Sequence, residues 1–350
     1  MMRGMHIHTL RQRLRALGAQ PLHEARVLRH WAQALPWHAG RRRIEDLLPL
    51  ALRQALPDLQ SELDSLAQLH SAHPAEDGER LLLRLADGQS VESVLLPRGG
   101  LCVSTQVGCA VSCRFCMTGR SGLLRQLGSA EIVAQVALAR RRRAVHKVVF
   151  MGMGEPAHNL DAVLEAIELL GTAGAIGHKN LVFSTVGDER VFARLPLGPV
   201  KPALALSLHS TQAERRAMLL PQAPRIEPAQ LVAAGDAYAR TTGYPMQVQW
   251  TLLAGINDGD DEVEGLVQLL AGRHAVLNLI PYNPVPGLPY ARPAAEQAAA
   301  LARTLHRRGV LTKLRRSAAQ EVEGGCGQLR ARLGATAAAR RPVTAIVPSR

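Results

Sequence analysis

Five cysteines occur in 350 residues, and three of them stand in Cys109-Ala-Val-Ser-Cys113-Arg-Phe-Cys116. A C-x₃-C-x₂-C run brings three thiolates onto one short loop. A cubane iron–sulfur cluster has four irons, so three protein sulfurs leave one iron open to another molecule. Structural zinc is the alternative, but it takes four ligands, commonly as two separated pairs. Here no second pair exists, and the next histidine, His146, lies well beyond the loop. The other two cysteines stand apart from the run. Cys326 lies in Gly324-Gly-Cys-Gly327, a small-residue setting that exposes a thiol rather than packing it. Cys102 precedes the run by seven positions. Taken singly, a lone cysteine is more often a small buried hydrophobe.

These residues need a frame to hold them. Short apolar runs at Leu101–Val103, Val145–Met151, Leu181–Thr185, Ala203–Leu208, Val248–Leu253, Val276–Pro281 and Thr312–Leu314 predict strands. Between them, Ser129–Arg142, Leu160–Leu170, Pro228–Arg240, Asp260–Leu270 and Pro293–Arg308 carry helical periodicity. Ser129 with Glu131, and Asp260-Asp261 with Glu262, place negative charge where a helix N-terminus favours it. Such alternation predicts an α/β fold with a mostly parallel sheet and ligands at the carboxyl ends of its strands. The cysteine run follows the first of these strands. Upstream, Asp87-Gly88 predicts a hairpin between Leu81–Leu85 and Val91–Leu96, and residues 1 to about 72 read as helical. The organisation expected is a helical accessory domain over 1–75, a hairpin linker over 76–100, the α/β core over 101–330 and a flexible tail over 331–350.

The composition is that of a globular protein, 47% hydrophobic and 20% charged. No uncharged apolar stretch is long enough to span a membrane, and no apolar h-region opens the chain, so no membrane partner and a cytoplasmic location are expected. The formal net charge of +13 suits a polyanion, with arginines clustered at 41–43, 140–143, 215–216, 307–308, 315–316 and 340–341. Aromatic residues make up only 3%, which argues against an extended base-stacking surface and for folded RNA held by its backbone.

C-x₃-C-x₂-C with Phe115 before the last cysteine resembles the radical S-adenosylmethionine (SAM) superfamily. Further words resemble the RlmN/Cfr family of RNA adenine methyltransferases: Cys102-Val-Ser-Thr-Gln-Val-Gly-Cys109, Gly152-Met-Gly-Glu-Pro156 with Asn159, Ser184-Thr-Val-Gly187, Leu206-Ser-Leu-His209, Ile280-Pro-Tyr-Asn-Pro284 and Gly325-Cys-Gly-Gln-Leu329. The resemblance runs from about Gln89 to Leu329. It implies a partial (β/α)6 barrel with a helical RNA-binding accessory domain and a hairpin extension. It implies one 4Fe-4S cluster on Cys109, Cys113 and Cys116, and two SAM molecules per turnover. SAM contacts would come from Gly154, Glu155, Ser184, Ser207, Leu208, His209 and Asn283.

The resemblance also implies a mechanism. Cys326 is methylated by the first SAM, and the second yields a 5′-deoxyadenosyl radical that takes a hydrogen from the S-methyl group. The methylene radical adds to an adenine carbon, Glu92 removes the ring proton, and Cys102 attacks Cys326 to release the methylated base as a disulfide forms. A solvated strand carboxylate is the plainer reading of Glu92. The implied target is C2 of an adenine in 23S rRNA, with tRNA as a further candidate, C8 as the alternative position, and a flavodoxin or ferredoxin as electron donor to a monomer. An RNA-binding iron–sulfur redox sensor is the non-enzyme alternative, for which Cys326 and Glu92 would be dispensable. Leu124, Gln126, Gln249-Trp250 and Ser317–Gly325 depart from the family's usual wording and bear on substrate choice.

Overall fold

Leu10, Leu14, Val27, Leu28, Leu52, Leu56, Leu59 and Leu63 recur at helical spacing, and all are buried. They form the inner stripes of α1 (Ile7–Ala16), α2 (Pro21–Ala32) and α3 (Leu50–Ser65). The computed structural model describes residues 4–37 and 43–330; the 331–350 tail with Arg340 and Arg341, and also Arg41 and Arg42, lie outside the described residues. The helical region ends earlier than its sequence suggests. Gln68–Ala75 is not helix but strand β1, although its residues alternate weakly. It takes strand form by pairing antiparallel with β2 (Gly78–Arg84), so tertiary pairing rather than local propensity decides. β2 and β3 (Ser90–Leu96) make the expected hairpin, with Gly88 at φ +82° in its turn.

The chain then enters β4 (Gly100–Cys102) and a small antiparallel ribbon, β5 (Gln106–Gly108) with β6 (Leu123–Gln126). From there helix and strand alternate: α4 (Ser129–Arg142), β7 (Lys147–Phe150), α5 (Leu160–Gly171), β8 (Leu181–Thr185), α6 (Glu189–Arg194) and β9 (Ala203–Ser207). Next come α7 (Ala213–Leu219), α8 (Pro228–Thr242), β10 (Met246–Leu252), α9 (Asp260–Leu270), β11 (Ala275–Pro281), α10 (Ala295–Arg307) and β12 (Thr312–Leu314). The main sheet runs β1-β2-β3-β4-β7-β8-β9-β10-β11-β12, and every ladder from β4 to β12 is parallel. This is an α/β fold of six strand–helix units ended by the short β12. Among the described residues no ladder joins β12 to β1, so the barrel is left open there.

One hydrophobic core runs from Ile7 to Leu329, and the N-terminal helices share it with the barrel. Arginines expected to face nucleic acid help to seal that junction. Arg140 donates to Ala32 O at 2.7 Å, Arg141 pairs with Asp64, Arg142 pairs with Glu79, and Arg143 donates to Leu96 O and Gly100 O. The run Arg140–Arg143 is therefore a clamp between α4 and the elements before it. Arg215 pairs with Asp261 and Glu262, and Arg308 with Glu264, so these two are also occupied within the fold.

Candidate active site

β5 and β6 hold the base of the cysteine loop. Only glycine fits at position 108, where φ is +79° and a Cβ would lie 2.0 Å from Gly122 O. Cys109 N donates to that same Gly122 O at 3.0 Å, and Cys116 N to Cys113 O at 3.1 Å. Ser112 turns the chain between them in the left-handed region, φ +55°. Cys109 is buried, and Cys113 and Cys116 are half-buried, in an apolar pocket with Val111, Phe115, Met117, Leu219, Leu220 and Tyr282. Burial pushes the Cys109 thiol up to about 12, and burial with the neighbouring Cys116, Cys109 and Glu155 pushes Cys113 well above its ordinary value.

Three thiols held in such a pocket need positive charge to ionise, and a metal centre supplies it. Among the described residues, the one group of three or more potential ligand atoms all within 4.8 Å of one another is elsewhere, at His6, His8 and Glu165. The three cysteine sulfurs are thus spread more widely than a single zinc ion needs, since sulfur ligands about 2.3 Å from zinc lie under 4 Å apart. A donor set of three thiols on one loop suits a cluster with one sulfur on each of three irons. Beside it, the buried Arg216 donates to Val186 O and leaves its Nε without a partner, while feeling the charges of Cys113 and Glu155. An orphaned guanidinium N–H here fits an anionic group such as the SAM carboxylate.

The carboxyl ends of the strands face this loop. After β7, Gly154 has φ +104°, and a Cβ there would lie 2.6 Å from the Gln106 side chain. Glu155 is buried; burial raises its carboxyl to about 7, opposed by donors from Ala157 N, Thr185 and Val186 N. Ser184 is buried near the end of β8, and Ser207 is half-buried at the end of β9. Leu208 is fully buried and donates to Gln249 O at 3.1 Å. His209 follows with φ +62°, unusual for a side-chain-bearing residue. Its Nδ1 accepts from Thr251 N at 2.9 Å, and Phe115 meets its ring edge-on at 4.9 Å. Burial, then Arg216, lowers His209 to about 3, so the ring is neutral with its proton on Nε2.

Asn283 is buried just past the end of β11. Its Nδ2 donates to Ser317 Oγ and to Cys326 O, both at 2.9 Å, and its Oδ1 accepts from Arg292. These bonds fix the loop that carries Cys326. Gly327 O accepts from Met117 N at 2.8 Å, and a Cβ on Gly327 would lie 3.9 Å from Cys116 Cα. The Cys326 loop therefore lies directly on the cysteine loop. Cys326 is exposed, yet surrounding protein raises its thiol, opposed by the Ser317 hydroxyl and reinforced by Cys116. Cys102 is buried at the end of β4; burial raises its thiol, and the charge of Cys326 raises it further.

Glu92 points inward from β3 and is 1% exposed. It pairs with Arg80, and its Oε2 accepts from Arg330 N just past the Cys326 loop. Ser104 Oγ donates to Glu92 O at 2.6 Å and accepts from Met153 N at 2.9 Å, joining the carboxylate's strand to the Gly154–Glu155 turn. Gln106 Oε1 accepts from Glu155 N at 2.7 Å. Ser104, Gln106 and Arg216 escaped sequence reasoning. The first two were visible only as letters within the Cys102–Cys109 word, and nothing in its spacing distinguishes Arg216 from its surface neighbour Arg215. Of the departing positions, Leu124 is exposed, Gln126 bridges Gln106 and His158 O, and Gln249 and Trp250 are buried.

Residues 103–270 match the family model of the radical SAM superfamily. A probable RNA methyltransferase of Leptothrix cholodnii is 72% identical over 98% of this chain and 100% of its own. Another from Pseudomonas aeruginosa is 66% identical over 96% of this chain and 98% of its own. Among solved structures, a radical SAM methyltransferase from Sphaerobacter thermophilus superposes with a TM-score of 0.81 at 34% identity, over 93% of this chain and 98% of that one. The chain belongs to the radical SAM superfamily and, within it, to the RlmN/Cfr-like family of these probable RNA methyltransferases.

Proposed function

We propose that this chain methylates an adenine carbon of RNA, C2 in 23S rRNA, through a methyl group carried on Cys326. The observation that carries this reading is the seating of the Cys326 loop on the Cys109–Cys116 loop, where Met117 N donates to Gly327 O. Adenine C2 is electrophilic, so a direct polar methyl transfer is closed to it. When bound, a 4Fe-4S cluster with SAM supplies a carbon radical able to take a hydrogen atom from an S-methyl group. Cys109, Cys113 and Cys116 hold that cluster, and Gly154, Glu155, Ser184, Ser207, Leu208 and His209 line the SAM site, with Glu155 receiving the ammonium. Two SAM molecules serve each turnover, one for the methyl group and one for the radical.

The chain's own residues then finish the reaction. Cys326 presents the carbon to the base. Glu92 takes the ring proton, its inward placement beside the Cys326 loop favouring this over a solvated role. Cys102, as its thiolate, attacks the Cys326 sulfur; the carbon leaves with the electron pair of the broken bond and is protonated to the methyl group as a Cys102–Cys326 disulfide forms. Arg114 within the cysteine loop and Arg120 just after it are exposed, where they can meet phosphates. The N-terminal helices with β1–β3 serve as the RNA-gripping accessory region, tRNA is a second substrate, and a small flavodoxin or ferredoxin donates electrons to a cytoplasmic monomer.

Mass spectrometry tests the reading at two levels. The Cys326 peptide of the isolated protein carries an added methyl, and deletion of the gene removes 2-methyladenosine from rRNA. Loss of 8-methyladenosine instead would move the target to C8. Loss of neither, with an unmodified Cys326, overturns the proposal.

A further inference from the structure

We propose that His6, His8 and Glu165 form a binding site for a divalent transition-metal ion, Zn²⁺, on the outer face of the barrel. The site is separate from the cysteine centre and does not depend on the function proposed for it. His6 Nδ1 lies 3.7 Å from Glu165 Oε2, and His8 Nδ1 lies 3.4 Å from Glu165 Oε1. These separations are at or beyond the limit of a hydrogen bond. The His8 separation is that of ligand atoms around one ion, since nitrogen and oxygen at about 2.0–2.1 Å from zinc stand roughly 3.3–3.4 Å apart in a tetrahedron, and the His6 separation is wider by a few tenths of an ångström. All three ligand atoms lie within 4.8 Å of one another. The two imidazole centroids are 5.2 Å apart and inclined by 30°, so the rings converge without stacking flat.

The surroundings hold these ligands in place. The N-terminal segment is docked on the start of α4: Ile7 N donates to Ser129 Oγ at 2.8 Å, and Ala130 N to Met5 O at 3.1 Å. Gly4 and Gly128 allow the approach, since a Cβ on Gly128 would lie 2.0 Å from Met5 O. Glu165 Oε2 accepts from Ser129 Oγ, and Oε1 accepts from His8 N at 2.7 Å. A carboxylate oriented by outer donors while keeping lone pairs free is how metal-binding carboxylates are held. The His8 side chain is 62% exposed, which gives an ion a way in and leaves a fourth position for water. A bound ion would fasten residues 6–8 to α4 and α5, and with them the whole N-terminal helical layer to the barrel.

The test uses full-length protein with its cluster reconstituted, so that the cysteines are occupied. Co²⁺ is titrated in as a spectroscopic probe. The expected result is one Co²⁺ per chain, with visible d–d bands, no thiolate charge-transfer band, and displacement by Zn²⁺. Zn²⁺ should also raise Tm by about 5 °C. His8→Ala and Glu165→Gln should each lose the Co²⁺ bands and the Zn²⁺-dependent shift, while keeping the cluster absorbance and reductive SAM cleavage. The exposed His8 tolerates truncation, so this variant stands even if Glu165→Gln disturbs packing. Cluster-loaded wild-type protein that takes up no Co²⁺, or a His8→Ala variant that binds like wild type, overturns the proposal.

Discussion

The two cysteine loops meet face to face but are built in opposite ways. The Cys109–Cys116 loop rises from a two-stranded ribbon, is lined by apolar side chains, and hides its first thiol. The Cys326 loop has left-handed Ala319 and Glu323, is held largely by side-chain bonds from Asn283, Asp77 and Gln328, and exposes its cysteine. A centre that must hold several thiolates at fixed spacing needs a stiff cradle. A thiol that, as proposed, receives a group, meets a nucleic-acid base and then meets Cys102 would need accessibility and room to shift. Under the proposed function this contrast would separate making a radical from carrying a carbon, and it can be broken experimentally.

The largest effect comes from the cysteines themselves. Cys113→Ala should remove the cluster absorbance, reductive SAM cleavage and RNA methylation together. Cys326→Ala should lower methylation by at least ~10³-fold while the cluster absorbance and SAM cleavage remain. If both variants lose SAM cleavage equally, the two loops are one functional unit and the division fails. Cys102→Ala should leave both loops loaded but trap the protein on its RNA, seen as a covalent adduct on a denaturing gel. Free methylated RNA from this variant at the wild-type rate would remove Cys102 from the mechanism.

Glu92 tests whether the carrier side includes the strand behind it. Glu92→Gln should slow methylation by ~10²–10³-fold, the usual contribution of a positioned base. It also leaves the buried Arg80 guanidinium without its carboxylate partner, costing about 3–5 kcal/mol in a denaturant titration. The double variant Arg80→Met/Glu92→Gln separates these effects. It should recover most of the stability and none of the rate. Recovery of both would make Glu92 a structural residue only.

Much of the frame was legible in the sequence because parallel strands buried on both faces are short unbroken apolar runs. Val148–Phe150, Leu181–Thr185 and Ala203–Leu206 are plain examples. What stayed hidden are elements whose form is imposed from outside. β1 becomes a strand through β2, β5 is three residues long, and α6 and α7 are too short for periodicity to show. In the site, the cysteine words announced themselves through spacing. The hydrogen-bond scaffold did not, because the roles of Gln106, Ser104 and Arg216 depend on partners distant in sequence. Charge misled most: Arg140–Arg143 reads as a nucleic-acid patch until its acceptors at Ala32 O, Asp64, Glu79 and Leu96 O are seen.

The smallest effect expected is also the one that most finely divides the two loops. Asn283 sits where the family resemblance implies a SAM contact, yet its amide donates twice into the Cys326 loop. Each lost neutral hydrogen bond is worth about 0.5–1.5 kcal/mol, so Asn283→Ala should lower methylation by roughly 10-fold. The sign of the accompanying change decides the role. If Asn283 positions the carrier loop, SAM affinity and reductive cleavage stay near wild type, and more SAM is consumed for each RNA methylated. If it holds the nucleoside instead, SAM affinity falls and cleavage falls in step with methylation, with the ratio unchanged. Asn283→Asp keeps an acceptor for Arg292 but cannot donate to Cys326 O, so under the positioning role it should uncouple as strongly as alanine.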